Sequence, residues 1–334
     1  MICNGCLKDL PSHNLCLKCR RELFDKDRVS LDLDFDSPAT EWNELLIENI
    51  SHISISGVQI KYSIKRLSDK LVLTDWGGQY ILKPSPIGPF KNLEQAPANE
   101  HLTMQIARQV FDINTAACAV VHFKDKRTLA YLTKRFDVKM DGSHYQQEDF
   151  AQLAQLNELN AGKNFKYDFS YEEAAELIQQ HVATYQAELE QFFKLVLFNY
   201  LIGNGDAHLK NFSVYRTEYG DYRLTPAYDL MNTKIHVPLD SDLALTKGLF
   251  KDDYETESFK SNAFFAYDDF YEFGIRIGIS KKRTTGIIAK FLGSRPKVEG
   301  LIKNSFLSEE TKELYLSLYK DKLKAIGYSF LKRI

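Results

Sequence analysis

From about Ser51 apolar and polar residues alternate, and beyond about residue 147 the spacing lengthens to that of a helix. Ile60, Tyr62 and Ile64 alternate with Lys61, Ser63 and Lys65, which predicts a half-buried strand. Leu71-Val72-Leu73 and Tyr80-Ile81-Leu82 flank Asp75-Trp76-Gly77-Gly78, a pattern that predicts a hairpin. Pro84, Pro86 and Pro89 keep the following segment out of helix, and Pro97 suits the first turn of one carrying Glu100, Leu102, Ile106, Ala107 and Val110. Two more strands are expected near 116–123 and 128–135. In the second half, Ser170 and Glu173 have the spacing of a capping box. Leu189, Phe192, Phe193, Val196, Leu197, Tyr200 and Leu201 fall on one helical stripe that Gly203 should end. A hairpin over 212–225 and helices over roughly 262–327 complete the pattern.

The first 48 residues differ from this pattern. Four of the five cysteines stand there as Cys3-x2-Cys6 and Cys16-x2-Cys19. Two such pairs can each give a knuckle to one tetrahedral zinc, because a short loop brings both soft thiolates to one side. A disordered Cys-rich tail is the plainer alternative. Cys118, in an apolar run, reads as a small buried hydrophobe. Residues 20 to 48 are charged and irregular, as in a linker. The expected division is a zinc-ribbon-like module at 1–25, a linker at 26–49, a small lobe at 50–137 and a large lobe at 138–334. No run approaches 18 apolar residues, and Met1-Ile2-Cys3-Asn4 does not begin a signal peptide, so no membrane association and a cytoplasmic location are expected. A net charge of −2 argues against a chain whose main task is gripping nucleic acid.

The chemistry concentrates where the long helix should end. Asp206 lies in Gly203-Asn204-Gly205-Asp206-Ala207-His208-Leu209-Lys210-Asn211, and Asp229 closes Pro226-Ala227-Tyr228-Asp229. An Asp, an Asn five residues on, and a second Asp returned by a hairpin form the layout of a phosphoryl-transfer site. The first Asp accepts the proton of the attacking hydroxyl, and the other two hold magnesium. Alone, Asp206 could equally cap a turn. The joint spacing predicts an ATP- and magnesium-dependent kinase. Its expected fold is α+β and protein-kinase-like, with a small β-rich lobe, one helix within it, and a large mainly helical lobe.

Across the same residues the chain resembles the HipA family of bacterial toxin serine/threonine kinases, in its short, split form. Ser54-Ile55-Ser56-Gly57-Val58-Gln59-Ile60-Lys61 looks like that family's regulatory loop, and Tyr80-Ile81-Leu82-Lys83-Pro84 like its nucleotide-lysine strand. Asn99-Glu100-His101 resembles the start of its small-lobe helix, Lys134-Arg135-Phe136-Asp137 its hinge, and Gln147-Glu148-Asp149 the start of its first large-lobe helix. The resemblance implies Asp206 as the base, Asn211 and Asp229 as magnesium ligands, and Lys83 on the ATP phosphates, oriented by Glu100. It also implies Phe136, Gln147, His208 and Tyr228 around the nucleotide. Individually each has a plainer reading, as core residue, solvated charge or structural imidazole.

In that family a serine of the regulatory loop is autophosphorylated and silences the enzyme, and Ser54 and Ser56 are the matching positions. The resemblance further implies a toxin of a toxin–antitoxin system. Its substrate would be a translation factor such as an aminoacyl-tRNA synthetase. Long members carry an extra subdomain before the regulatory loop, where this chain has its Cys-rich segment. A partner is therefore expected, an antitoxin or a small protein resembling that missing piece, with DNA reached only through it. Competing readings are an inactive nucleotide-binding scaffold or regulator, and a kinase of small molecules or lipids.

Overall fold

In the structure, a computed structural model, residues 1–37, 59–139 and 141–331 are described. Ser54 and Ser56 lie outside them. The first sheet is built from β1 (Tyr62–Leu67), β2 (Lys70–Leu73), β3 (Tyr80–Pro84), β4 (Cys118–His122) and β5 (Leu129–Lys134). Its order is β2-β1-β3-β5-β4, with every neighbouring pair antiparallel. One expected pairing changes. β2 and β3 do flank Asp75–Gly78, but β1 lies between them. The tight hairpin is β1–β2, which turns at Ser68 with φ +57°. Both ends of the Asp-Trp-Gly-Gly segment therefore join non-adjacent strands, and turn chemistry alone could not reveal that.

The period of two places different partners on the two faces. Tyr131 and Cys118 belong to the main core, whereas Ala119, Val121, Ala130 and Leu132 belong to a separate cluster. Helix α2 (Ala96–Val110) covers the first face against β4 and β5, with Pro97 in its first turn as expected. The amino-terminal segment covers the second. Helix α1 (Leu17–Phe24) contributes Leu23 and Phe24, and Leu31 and Leu33 follow into the same cluster. Each such burial contributes about 1.5–3 kcal/mol. Residues 31 to 35 also run beside β4, where Leu33 donates to His122 O at 2.8 Å and Lys124 donates to Phe35 O at 3.1 Å. Part of the stretch expected as a linker is thus laid along a sheet edge.

In the large lobe, Ser170 caps α3 (Tyr171–His181) in a capping box with Glu173. Helix α4 (Tyr185–Ile202) runs through the core with Phe192, Phe193, Val196, Leu197, Tyr200 and Leu201 buried. Gly203 ends it at φ +69°, a left-handed conformation that glycine adopts without a Cβ clash. A second sheet joins β6 (Gln147–Asp149), β7 (Ser213–Arg216) and β8 (Tyr222–Leu224) in that order. Residues 147–149 are therefore strand, and Asp149 caps the single helical turn Phe150–Leu153 behind it. Helices α5 (Glu257–Asn262), α6 (Tyr267–Arg276), α7 (Lys281–Leu292), α8 (Arg295–Lys303) and α9 (Glu309–Gly327) complete this lobe. Among the described residues no helix is long and apolar enough to cross a membrane.

Candidate active site

Lys83 leaves β3 between buried Leu82 and buried Pro84, pointing to the face that α2 covers. Its Nζ donates to Glu100 Oε1 at 2.6 Å and to the Asp229 carboxylate. A second ammonium, Lys61 Nζ from the residue before β1, lies 3.4 Å from Asp229 Oδ2. Burial alone would discharge Lys83, but Asp229 and Glu100 outweigh it and hold its pKa above the ordinary value. Burial likewise pushes Asp229 up, and the two lysines overcome it, keeping the carboxyl below the usual range. Glu100 is raised by burial despite Lys83, and its Oε2 is buried without a hydrogen-bond partner. Asp229 sits at φ +55°, a left-handed conformation that Asp tolerates better than most residues.

The loop after α4 is held by its own network. Thr233 Oγ1 donates to Gly203 O at 3.0 Å and accepts from Gly205 N at 2.9 Å, with Asp240 as a further partner. A Cβ on Gly205 would meet the Asp240 carboxyl at 2.5 Å, so the close approach requires glycine there. Asp206 follows, accepting from Tyr167 OH at 2.9 Å. His208 is buried edge-on against the Tyr167 ring, with its Nε2 3.9 Å from Asp206 Oδ1. Burial and the nearby Lys166 ammonium pull the imidazole down to about 3, which leaves it neutral. Asn211 Oδ1 accepts from His208 N at 3.2 Å.

Two cavities meet this region. One, of about 460 Å³, is lined by Lys61, Lys83, Phe136, Gln147, Tyr228 and Asp229, among others. Phe136 and Tyr228 place their rings 5.8 Å apart there, and Tyr228 OH is 2.5 Å from Ser213 Oγ. A lining that combines aromatic rings with ammonium groups suits a base with phosphates attached. The second cavity, of about 650 Å³, is lined by Asp206, Tyr167, Gly205, Asp240, Ser241 and Leu243, among others, and reaches the exposed Leu239. The expected residues thus divide. Lys83, Phe136, Gln147, Tyr228 and Asp229 line the first cavity, and Asp206 the second. Glu100 stands behind Lys83. His208 lies beneath Asp206, outside the lining of the first cavity, and Asn211 is bonded to its backbone. Tyr167 carried no expected role, and Lys61 was expected only as the end of the regulatory-loop segment. Lys61 reads locally as the solvent face of a strand, and Tyr167 is 39 residues from the carboxylate it touches.

The donor set suits the expected groups. Asp229 and Asn211 offer hard oxygens of the kind magnesium selects, and both carboxylate oxygens of Asp229 already face ammonium cations. At the amino terminus the sulfurs of Cys3, Cys6, Cys16 and Cys19 all lie within 4.8 Å of one another. Cys6 and Cys16 Sγ are 3.7 Å apart, close to the roughly 3.8 Å edge of a tetrahedron with bonds of about 2.3 Å. Backbone N–H groups of Cys16 and Cys19 donate to Cys3 and Cys16 Sγ, as they would to thiolates. All four are free of disulfides.

A lysine joined to a helix glutamate, beneath a five-stranded sheet and above a helical lobe, defines a protein-kinase-like fold. A family model described as HipA-like C-terminal domain matches residues 53–297, and the chain belongs to that family of kinases. A protein of Haemophilus influenzae named "Putative kinase" is 27% identical over 288 residues, covering 82% of each chain. The "Serine/threonine-protein kinase toxin HipA" of Shewanella oneidensis is 25% identical over 249 residues, covering 68% of this chain and 52% of that one. A solved Shewanella oneidensis HipA in complex with HipB and operator DNA has a TM-score of 0.62 at 21% identity. That match covers 86% of this chain and 67% of the other. The chain thus spans only about half the length of the named toxin.

Proposed function

We propose that this kinase transfers the γ-phosphoryl group of ATP to a serine or threonine hydroxyl of a protein, as the toxin of a toxin–antitoxin pair. The observation that carries the reading is the buried relay Glu100–Lys83–Asp229, which ends in the cavity lined by Phe136 and Tyr228. In this reading Lys83 holds nucleotide phosphates, and Glu100 fixes its direction. Asp206 accepts the hydroxyl proton, oriented by the Tyr167 hydroxyl. Magnesium, held by Asp229 and Asn211, would neutralise charge on the phosphates. Neutral His208 would stiffen the loop rather than exchange protons. The groove beside Asp206, open to Leu239, favours a polypeptide acceptor over a small enclosed one.

Similarity to HipA supports a translation factor such as an aminoacyl-tRNA synthetase as substrate, and an antitoxin as partner, with DNA engaged through that partner. We also assign zinc to the four cysteines and a cytoplasmic setting, which keeps those thiols reduced. Ser54 and Ser56 remain the proposed autophosphorylation sites. Incubation with labelled ATP and magnesium should label the wild-type chain, and mass spectrometry should find phosphate on Ser54 or Ser56. Asp206→Ala should lose about 10²–10⁴-fold in transfer. Wild-type transfer by Asp206→Ala would rule out the assigned base.

A further inference from the structure

The amino-terminal knuckle touches the small-lobe helix at the turn that carries Glu100. Gly5, between the first two ligands, accepts at its carbonyl from His101 Nε2 at 3.0 Å. The next carbonyl, of Cys6, accepts from Gln109 Nε2 at 2.9 Å, two turns further along α2. The third, of Leu7, accepts from Asn304 Nδ2 at 3.0 Å, just beyond α8. Three successive peptide groups of one metal-binding loop are thus pinned to α2 at two points and to the large lobe at a third. Asn4 adds a reciprocal pair with the β4 backbone, its Nδ2 and carbonyl both meeting Val120. Arg108 of α2 pairs with Glu22 of α1 at 2.9 Å.

These carbonyls have no fixed direction without the loop geometry. Leu7 holds a left-handed φ of +62°, and a Cβ on Gly5 would sit 2.7 Å from Cys19 Sγ. Both features belong to a loop wrapped tightly about its sulfurs. Without an ion, four thiolates this close repel one another, or take up protons, and the wrap loosens. His101 is completely buried and adjacent in sequence to Glu100. A shift of Gly5 O would leave the buried His101 ring N–H unpaired, a desolvation cost that movement of α2 would relieve.

We propose that the four-cysteine cluster binds zinc as an activity-setting clamp: the loaded knuckle holds α2 where Glu100 reaches Lys83, and the empty knuckle releases it. The ion lies outside both cavities, so its effect is a coupling between two sites and must run in both directions. This proposal rests on the kinase reading for its activity readout and on the proposed nucleotide site for its affinity readout, and α2 exchange depends on neither. Hydrogen exchange and nucleotide binding need no catalysis.

The test uses the full chain, zinc-loaded, then stripped by a chelator under reducing conditions and reloaded with zinc alone. Stripping should speed amide exchange across residues 96–110 and weaken a fluorescent ATP analogue on the order of ten-fold, and zinc should restore both. Reciprocally, the analogue should tighten zinc by the same factor in a chelator competition. Cysteine substitutions risk general unfolding, so His101 is the sharper probe. His101→Leu should still bind one zinc, yet lose nucleotide affinity and its response to stripping. His101→Gln, which retains a donor able to reach Gly5 O, should behave as wild type. Unchanged α2 exchange and nucleotide affinity after complete stripping would overturn the clamp, as would a folded chain that takes up no zinc. A chain that binds nucleotide in a zinc-dependent way but transfers no phosphate would keep the clamp and remove the kinase reading. An active chain indifferent to zinc would do the reverse.

Discussion

The relay at Lys83 and the cluster at Cys3–Cys19 are both built from ionisable groups that could not be buried singly, yet they solve that problem differently. The relay draws on residues 17 and 146 positions from Lys83 and neutralises charge with charge. Its geometry exists only once sheet, helix and large lobe have met. The cysteines lie within 17 residues, and local loops bring their sulfurs together. Their spacing suits a single ion rather than a distant side chain. A long-range site fails when one partner is deleted. A local site fails when its metal leaves.

The largest contrast should come from Lys83→Met, which strands Glu100 against Asp229. Breaking a buried pair from one side costs about 3–5 kcal/mol, measurable as a lower midpoint in urea. Removing Glu100 as well, in Lys83→Met/Glu100→Leu, should recover part of that loss. If the double variant is less stable than the single one, Glu100 is held by something other than the lysine.

Zinc removal comes next. At a free ion concentration about 100 times the dissociation constant, loading stabilises by about 2.7 kcal/mol. Thermal unfolding with and without chelator should show that difference, concentrated in the small lobe. An equal effect on a Cys16→Ser/Cys19→Ser chain would mean the chelator acts elsewhere.

Acid sharpens the comparison from the side of the candidate active site. His208 has a folded-state pKa of about 3, below its ordinary 6.5. The unfolded chain therefore takes up the proton first. Stability is intact above pH 6.5 and falls as pH drops towards 3, by about 1.4 kcal/mol per pH unit. His208→Gln should reduce that slope in urea titrations between pH 6 and 4, leaving the share of His101, which burial pulls down to about 4. An unchanged slope would place the titrating group elsewhere. The smallest effect belongs to a purely local device. Ser170→Ala removes the cap of α3 and should cost about 1 kcal/mol without altering nucleotide binding.

Much of the second half was readable because its signals are local. The stripe of α4, the glycine at its end and the return hairpin each follow from spacing within a few turns, so Asp206 and Asp229 could be singled out. Pairing between strands is less local. The Asp75–Gly78 turn looked like a hairpin, but β1 inserts beside β3, because its Ile64 face is buried there. Residues 31 to 35 looked like linker because only Leu31, Leu33 and Phe35 are apolar among acidic neighbours. Alternation that short has meaning only beside the edge of β4.

On its own, the sequence determined which groups could do chemistry: four thiols in two knuckles, a lysine in a strand, and an Asp, Asn and Asp in order. These choices depend on residue type and short spacing, which covalent geometry preserves in any fold. Tertiary structure decided who meets whom. It set Lys61 and Lys83 on Asp229, Tyr167 on Asp206, and His101 on the knuckle. Such contacts are selected by burial and by the need to satisfy every buried polar group, and neither quantity exists until distant elements pack.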